Sequence, residues 1–351
     1  MSKYEYKQLW TADCLQAAAQ MIARLQLPNG AVPWCRGGKV DPWDHVESAM
    51  GLGIGGYIAQ ARLAFDWMQA NQLPDGSWYS SYMEDIPLDR TRESHFAAYV
   101  AVGVFHYYQL TKDDCFLADM WPMVGRAIHF ALQMQAPKGE IYWAISPDGR
   151  IDQMALLTAS SSIFMSIKCA LAIAQMLEQS VPAWQNALCR LADAIRCRPH
   201  AFNMTKSRFA MDWFYPVLSG AMTGDMARCR IDQFWKKFVM SGHGVRCVSD
   251  RPWVTIAETA ELVLSLTAMG RRDSAEIVLN WIMDNRFADG TFWCGYTLPD
   301  MVVWPEEKLS WTNAAVLIAA DALYAITSAS ELFHHRTWET FVHSKALANL
   351  P

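Results

Sequence analysis

Gln72-Leu73-Pro74-Asp75-Gly76-Ser77-Trp78 is the stretch that decides the fold. A helix-like segment runs into it, proline stops that helix, and glycine allows the left-handed backbone that closes its end. The tryptophan then packs over the junction. The same unit recurs as Gln26-Leu27-Pro28-Asn29-Gly30 before Trp34, and as Gln135-Ala136-Pro137-Lys138-Gly139 before Trp143. Arg286-Phe287-Ala288-Asp289-Gly290 before Trp293 is a fourth copy. A helix–turn–aromatic unit repeated along a chain marks a repeat architecture, and the simplest role for these turns is structural.

Working outward, apolar periodicity and breakers alternate between two kinds of helix. Amphipathic, charge-bearing helices are expected at about 10–25, 57–71, 117–134, 182–197, 225–240 and 273–285. Helices richer in Ala, Gly, Ser and aliphatics, suited to burial on both sides, are expected at about 44–56, 93–109, 152–178, 212–223, 254–269 and 309–327. Six of each in strict alternation predict an all-α fold, an (α/α)6 toroid or barrel with six inner helices ringed by six outer ones. No linker or composition shift divides the chain, so residues 1–351 read as a single toroid domain.

Hydrophobic residues make up 52% and charged residues 19% of the chain, which supports a large core and excludes disorder. A net charge of -5 argues against nucleic acid or an anionic membrane surface as partner. Nine scattered cysteines with no CxxC pair read as reduced thiols, and Met1–Tyr6 lacks an apolar signal segment, so a cytoplasmic protein is expected. Met154 to Leu177 is long and apolar enough to span a bilayer but reads as a buried helix.

Gln72 to Trp78 resembles the QxxxGxW repeat of squalene–hopene-type terpenoid cyclases and looks like turns in protein prenyltransferase β subunits. Pro305-Glu306-Glu307-Lys308-Leu309-Ser310-Trp311-Thr312-Asn313 resembles the last inner helix of six-hairpin, glucoamylase-like glycosidases. Both resemblances imply an α/α toroid. The DxDD and DDxxD motifs of the cyclases and of diphosphate-ionising enzymes are missing. Cys35, His243 and Cys247 are the one loose echo of a zinc set, and no metal or cofactor is expected.

In such a toroid the loops entering the inner helices crowd one mouth, where residues distant in sequence converge. Asp44 can cap its helix with Glu47 completing the box, yet Trp43 and His45 beside them make a density beyond a cap. Arg92 and His95 enter the second inner helix, and guanidinium there suits a carboxylate or phosphate on a substrate. Asp152 precedes the apolar helix, where desolvation would raise a carboxyl pKa. Arg208, Asp212, Trp213 and Tyr215 resemble a pocket wall. Arg251 and Trp253 lead into Glu258, an acid on an inner helix that needs a partner or a function. Lys308 and Trp311 stand at the sixth entrance.

Carboxylates beside flat indoles suit sugars and cationic intermediates. Three readings fit. The first is a glycoside hydrolase-like enzyme acting on a carbohydrate or glycosylated small molecule by carboxylate acid/base chemistry. Its catalytic candidates are Asp44 and Asp212, with Glu258, Asp152 and Glu47 behind them. The second is a terpenoid cyclase or prenyltransferase relative with an apolar, aromatic-lined cavity. The third is a non-catalytic binding module.

Overall fold

The computed structural model describes residues 12–339, so the reading of Met1–Tyr6, and residues 10–11 of the first expected helix, lie outside it. The described residues include twelve α-helices, besides helical residues at 335–339: α1 (Ala12–Leu25), α2 (Pro42–Ile54), α3 (Ile58–Asn71), α4 (Ser94–Thr111), α5 (Asp114–Gln133), α6 (Leu157–Met176), α7 (Pro182–Cys197), α8 (Ala210–Leu218), α9 (Gly224–Phe238), α10 (Ile256–Ala268), α11 (Arg272–Trp281) and α12 (Ser310–Tyr324). The even-numbered helices pack each on the next, and α12 packs back on α2, closing a ring. The odd-numbered helices lie outside against them. Inner helices are buried nearly all round; α10 is buried at every position. This is why their sequences lack a polar stripe. The apolar helix α6, 89% buried in its most hydrophobic window, is a ring member packed between α4 and α8.

The turn motifs tie each outer helix to the next. Gln72 Nε2 donates to Gly76 O and to Met123 O on α5, both at 2.9 Å. Gln26 does the same toward α3, and Gln135 toward α7. At Gly76, φ is +93°, and a Cβ there would collide with the Arg126 carbonyl of α5. Glycine is therefore required by backbone angle and by close approach at once.

One expectation is corrected. The fold is helix-rich but not all-α. Ten short strands occupy the loops that enter inner helices: β1 (Ser81–Met83), β2 (Ile86–Asp89), β3 (Arg92–Glu93), β4 (Tyr142–Ile145), β5 (Ile151–Ala155), β6 (Val239–Met240), β7 (Gly244–Arg246), β8 (Trp253–Thr255), β9 (Gly295–Thr297) and β10 (Val302–Val303). They pair as β1-β2, β3-β4-β5 and β10-β9-β8-β7-β6. These loops are too long to cross in a turn, so their backbone groups pair with one another. The connections at the other end of the ring are short turns, as at 55–57 and 112–113.

Candidate active site

All the long loops and all the inner-helix N-termini meet at one end. Asp41, in extended conformation, caps α2, its carboxylate accepting from Asp44 N at 2.9 Å, with Pro42 in the first turn. This corrects the expected cap. Asp44 sits inside the first helical turn, and its carboxyl hydrogen-bonds to that of Asp41. Trp34 Nε1 holds the other Asp41 oxygen at 2.5 Å. Asp44 is half-buried. Burial, then the charges of Asp41 and Glu47, push its carboxyl well above the usual range, with Lys39 opposing.

Glu258 occupies the first turn of α10, 8% exposed, with Oε2 making no hydrogen bond. The buried Cys294 thiol is pushed up to about 12 by burial, and Glu258, Glu307 and Asp44 add to the rise. Acids from two inner helices, Asp44 and Glu258, thus act on one thiol at the mouth.

One helical turn deeper lies a second layer. Trp43 stacks on Tyr99 with centroids 4.4 Å apart and meets Tyr215, from the far side of the ring, at 5.9 Å. Trp43 Nε1 donates to Glu47 Oε1 at 2.9 Å, and the Tyr99 hydroxyl approaches the same oxygen at 3.3 Å. The Tyr215 hydroxyl donates to Glu261 Oε1 at 2.5 Å. Burial raises Glu47 to about 7. Glu261 goes well above its usual range through burial and the charges of Glu47 and Glu258.

The remaining expected site residues fall elsewhere. Asp212 stands in the first turn of α8, but its Oδ1 accepts from Thr158 N at 3.1 Å and Thr158 Oγ1 at 2.6 Å, tying α8 to α6. Asp152 is exposed on β5 and accepts from Trp143 Nε1 at 2.8 Å, so the buried helix entrance foreseen for it is corrected. The reason is local: α6 starts only at Leu157, after the β4–β5 hairpin. His45 accepts from Val32 N at Nδ1 (3.0 Å) and contacts Ala64 O through Nε2 (2.9 Å), and burial lowers it to about 4. Its ring joins α2 to the outer layer. Trp213 stacks on Phe238 of α9 and donates to Arg230 O, packing between helices rather than walling a pocket.

The cations are mostly engaged. Arg92 pairs with Asp75 of the turn motif, Arg208 grips both Asp250 oxygens at 2.7 and 2.8 Å, and Lys308 pairs with Asp289. Arg251 is exposed. His95, lowered to about 3 by burial, meets the Trp43 ring edge-on at 5.3 Å. Trp253 donates to Trp304 O and packs edge-on against Trp304, and Trp311 packs against Trp34. Of the loose zinc echo, Cys247 bonds Glu258 while His243 meets Tyr296. Among the described residues no group of three His, Cys, Asp or Glu side chains could hold a metal ion.

Three site residues escaped sequence reasoning: Asp41, Glu93 and Tyr99. Glu93 accepts from Ser80 Oγ at 2.8 Å and lies 3.4 Å from His95 Nε2, and burial raises it to about 7. Its place directly before an inner helix was a usable signal. Asp41 before Pro42 was another, since proline favours the first turn and the residue before it the cap. Tyr99 lies deeper in its helix and carried none, whereas the three-residue spacing of Glu258 and Glu261 on one helical face was visible in the sequence.

A ring of paired helices with carboxylates at one mouth is compatible with a glycoside hydrolase, and comparison with known proteins decides for that class. No protein-family model matches the chain. A wild-type glycosidase structure superposes over 93% of this chain and 100% of its own with a TM-score of 0.69 at 15% identity. A GH63 mannosylglycerate hydrolase from Thermus thermophilus, in complex with glucose, covers 86% of this chain and 98% of its own with a TM-score of 0.68 at 12% identity. These likenesses concern the fold. The MMP endo-(1,4)-3-O-methyl-alpha-D-mannosidase of Mycolicibacterium hassiacum is 47% identical over 323 residues, 92% of this chain and 89% of the relative. The chain is a carbohydrate-acting glycoside hydrolase. It belongs to the family of that endo-mannosidase. The six-hairpin glycosidase resemblance is thereby supported, and the squalene-cyclase one is not.

Proposed function

We propose that this protein is an (α/α)6 toroid, one domain throughout, that hydrolyses an α-mannosidic bond within an O-methylated mannose chain, with Asp44 as general acid and Glu258 as its partner carboxylate. The observation that carries the reading is that Asp44 and Glu258 stand in the first turns of two different inner helices, at the end of the ring where the long loops gather. Their settings differ. Asp44 retains its proton well above the usual range, as a proton donor to a leaving oxygen must. Glu258 keeps an oxygen without a partner, which suits a group that activates water or attacks the sugar carbon. Asp212 has its Oδ1 engaged by Thr158 and is the poorer partner.

The substrate class rests on the endo-mannosidase relative and on the rim. Ile86 and Leu88 on β2, Ile151 on β5, and Val302 and Trp304 beside β9 are exposed apolar side chains around the mouth. Trp304 is 60% exposed. Apolar side chains at hairpin tips match methyl ethers and the C–H faces of sugars better than they match water.

The test is cleavage of an α-(1,4)-linked 3-O-methylmannose oligosaccharide, with products sized by mass spectrometry. Wild type is expected to cut internal bonds, and Asp44→Asn and Glu258→Gln each to lose about 10²–10⁴-fold in kcat. If Asp44→Asn retains wild-type kcat, the acid assignment is wrong. If wild type leaves this chain intact but cleaves an unmethylated mannoside, the substrate reading is wrong.

A further inference from the structure

Beneath Asp44 and Glu258 the structure buries two more acids that the reaction as proposed does not use. Glu47 follows Asp44 by three residues on α2, and Glu261 follows Glu258 by three on α10, so each helix presents a stacked pair of carboxylates on one face. Glu47 and Glu261 are 6% and 7% exposed. They are linked through the ring interior, Glu47 to Trp43, Trp43 across to Tyr215, and Tyr215 to Glu261. Neutral donors hold both, and the charges that act on them come from other carboxylates. Two buried carboxylates so placed cannot both ionise without large cost; one retains a proton.

We infer that Glu47 and Glu261 share a single proton, held chiefly by Glu261, and that the charge left on Glu47 is a positioning charge that keeps the Asp44 proton in place for transfer. This deepens the proposed acid role of Asp44 and rests on it. The hydrogen bonding favours that division. Glu47 accepts from Trp43, with Tyr99 beside the same oxygen, a setting suited to an anion. Glu261 has one donor, Tyr215, and is pressed by both Glu47 and Glu258. The carboxyl shifts agree, Glu47 reaching about 7 while Glu261 goes well above its usual range.

The groups facing this pair are accounted for element by element. α2 contributes Asp41 and Asp44, α4 contributes Tyr99, and α8 contributes Tyr215. α10 contributes Glu258. Cys169 of α6 acts on Tyr99, Cys294 faces Asp44, and Lys39 supplies the positive charge that reaches Asp41 and Asp44. Glu93 acts with Asp41 at the rim.

The two glutamates are distinguished by the sign of the effect. Glu47→Gln removes the charge beside Asp44, so the alkaline limb of kcat/KM is expected to move toward acid by about one pH unit. Glu261→Gln keeps a neutral group on Tyr215 and leaves Glu47 ionised to lower pH, so the limb is expected to stay or move slightly toward alkali. A packing defect would lower the rate without moving the limb. Infrared spectra at neutral pH, on the full chain without substrate, supply a second readout. Wild type should show protonated-carboxyl bands, one lost in Glu261→Gln and another in Asp44→Asn. The inference is overturned if Glu47→Gln leaves the limb in place, if both glutamine variants move it the same way, or if Glu261→Gln removes no band. Loss of no band in Asp44→Asn instead overturns the acid assignment and leaves the shared proton to the Glu261 result.

Discussion

The two ends of the ring carry opposite chemistry. At the mouth, where the inner helices begin, the buried polar groups include the acids Asp41, Glu47, Glu258 and Glu261. At the far end, where those helices finish, several are bases resting on carbonyls. Lys168 Nζ donates to Ser219 O at 2.9 Å, His335 Nε2 lies 2.7 Å from Val217 O, and His334 Nε2 lies 3.2 Å from Ala322 O. Helix N-termini carry partial positive charge and C-termini partial negative charge, so six inner helices pointing the same way favour anions at one end and proton donors at the other. The connections differ too. Turns of a few residues close the far end, while the mouth has hairpins that carry exposed apolar side chains. The Gln–Gly turns also lie at the mouth end, where they follow the outer helices and tie each to the next.

That contrast is open to direct attack. The largest effect is expected at the mouth: Asp44→Asn or Glu258→Gln should abolish nearly all turnover, about 10²–10⁴-fold, with the melting temperature little changed, because each amide replaces its acid at nearly the same size. Turnover and melting measured on the same preparation check it. Next comes the frame. Gly76→Ala places a Cβ at φ +93° against the Arg126 carbonyl and should cost roughly 2–4 kcal/mol of stability by denaturant melt, with activity per folded molecule unchanged.

At the far end, burial lowers Lys168 to about 7, below its unfolded value. The unfolded chain therefore binds more protons above that point, and Lys168 contributes a stability that rises with pH from about 7 toward 10. Lys168→Met should flatten that part of the melting-temperature profile while turnover at the mouth persists. A matching loss of kcat would show that the two ends are coupled. The smallest effect belongs to the rim. Trp304→Ala removes an exposed ring that packs on Trp253, and KM is expected to rise a few-fold with kcat and melting temperature little changed. A fall in kcat alone would place Trp304 in the transition state instead.

Much of the frame was legible in the chain. The alternation of amphipathic and all-apolar helices, and the four turns from Gln26 to Gly290, are local patterns whose physical cause acts within a few residues. Expected helix bounds mostly agree with the observed ones, departing most where a hairpin takes the first residues, as at 152–156, and where α8 ends early. The pairing of β3 with β4 was not legible, because it spans the whole of α4 and α5. Such pairing is set by which loops the ring brings together.

The candidate site divides in the same way. Glu258 stood out as an acid on an inner helix that needs a partner or a function, and Asp44 and Glu47 for the density of Trp43 and His45 beside them. Asp212 stood out as part of a pocket wall, but its carboxylate is engaged by Thr158, 54 residues earlier, a contact visible only once α6 and α8 are side by side. His45 looked like a ligand-binding group and is bonded to the backbone of Val32 and Ala64. By itself, then, the sequence determined the repeat, the helices and the end of the ring where acids gather, since these follow from spacing and helix polarity. The tertiary structure alone decided which acids keep a free oxygen, which share neighbours and which serve as ties. Those outcomes depend on distances between residues far apart in the chain, and they exist only after the ring has closed.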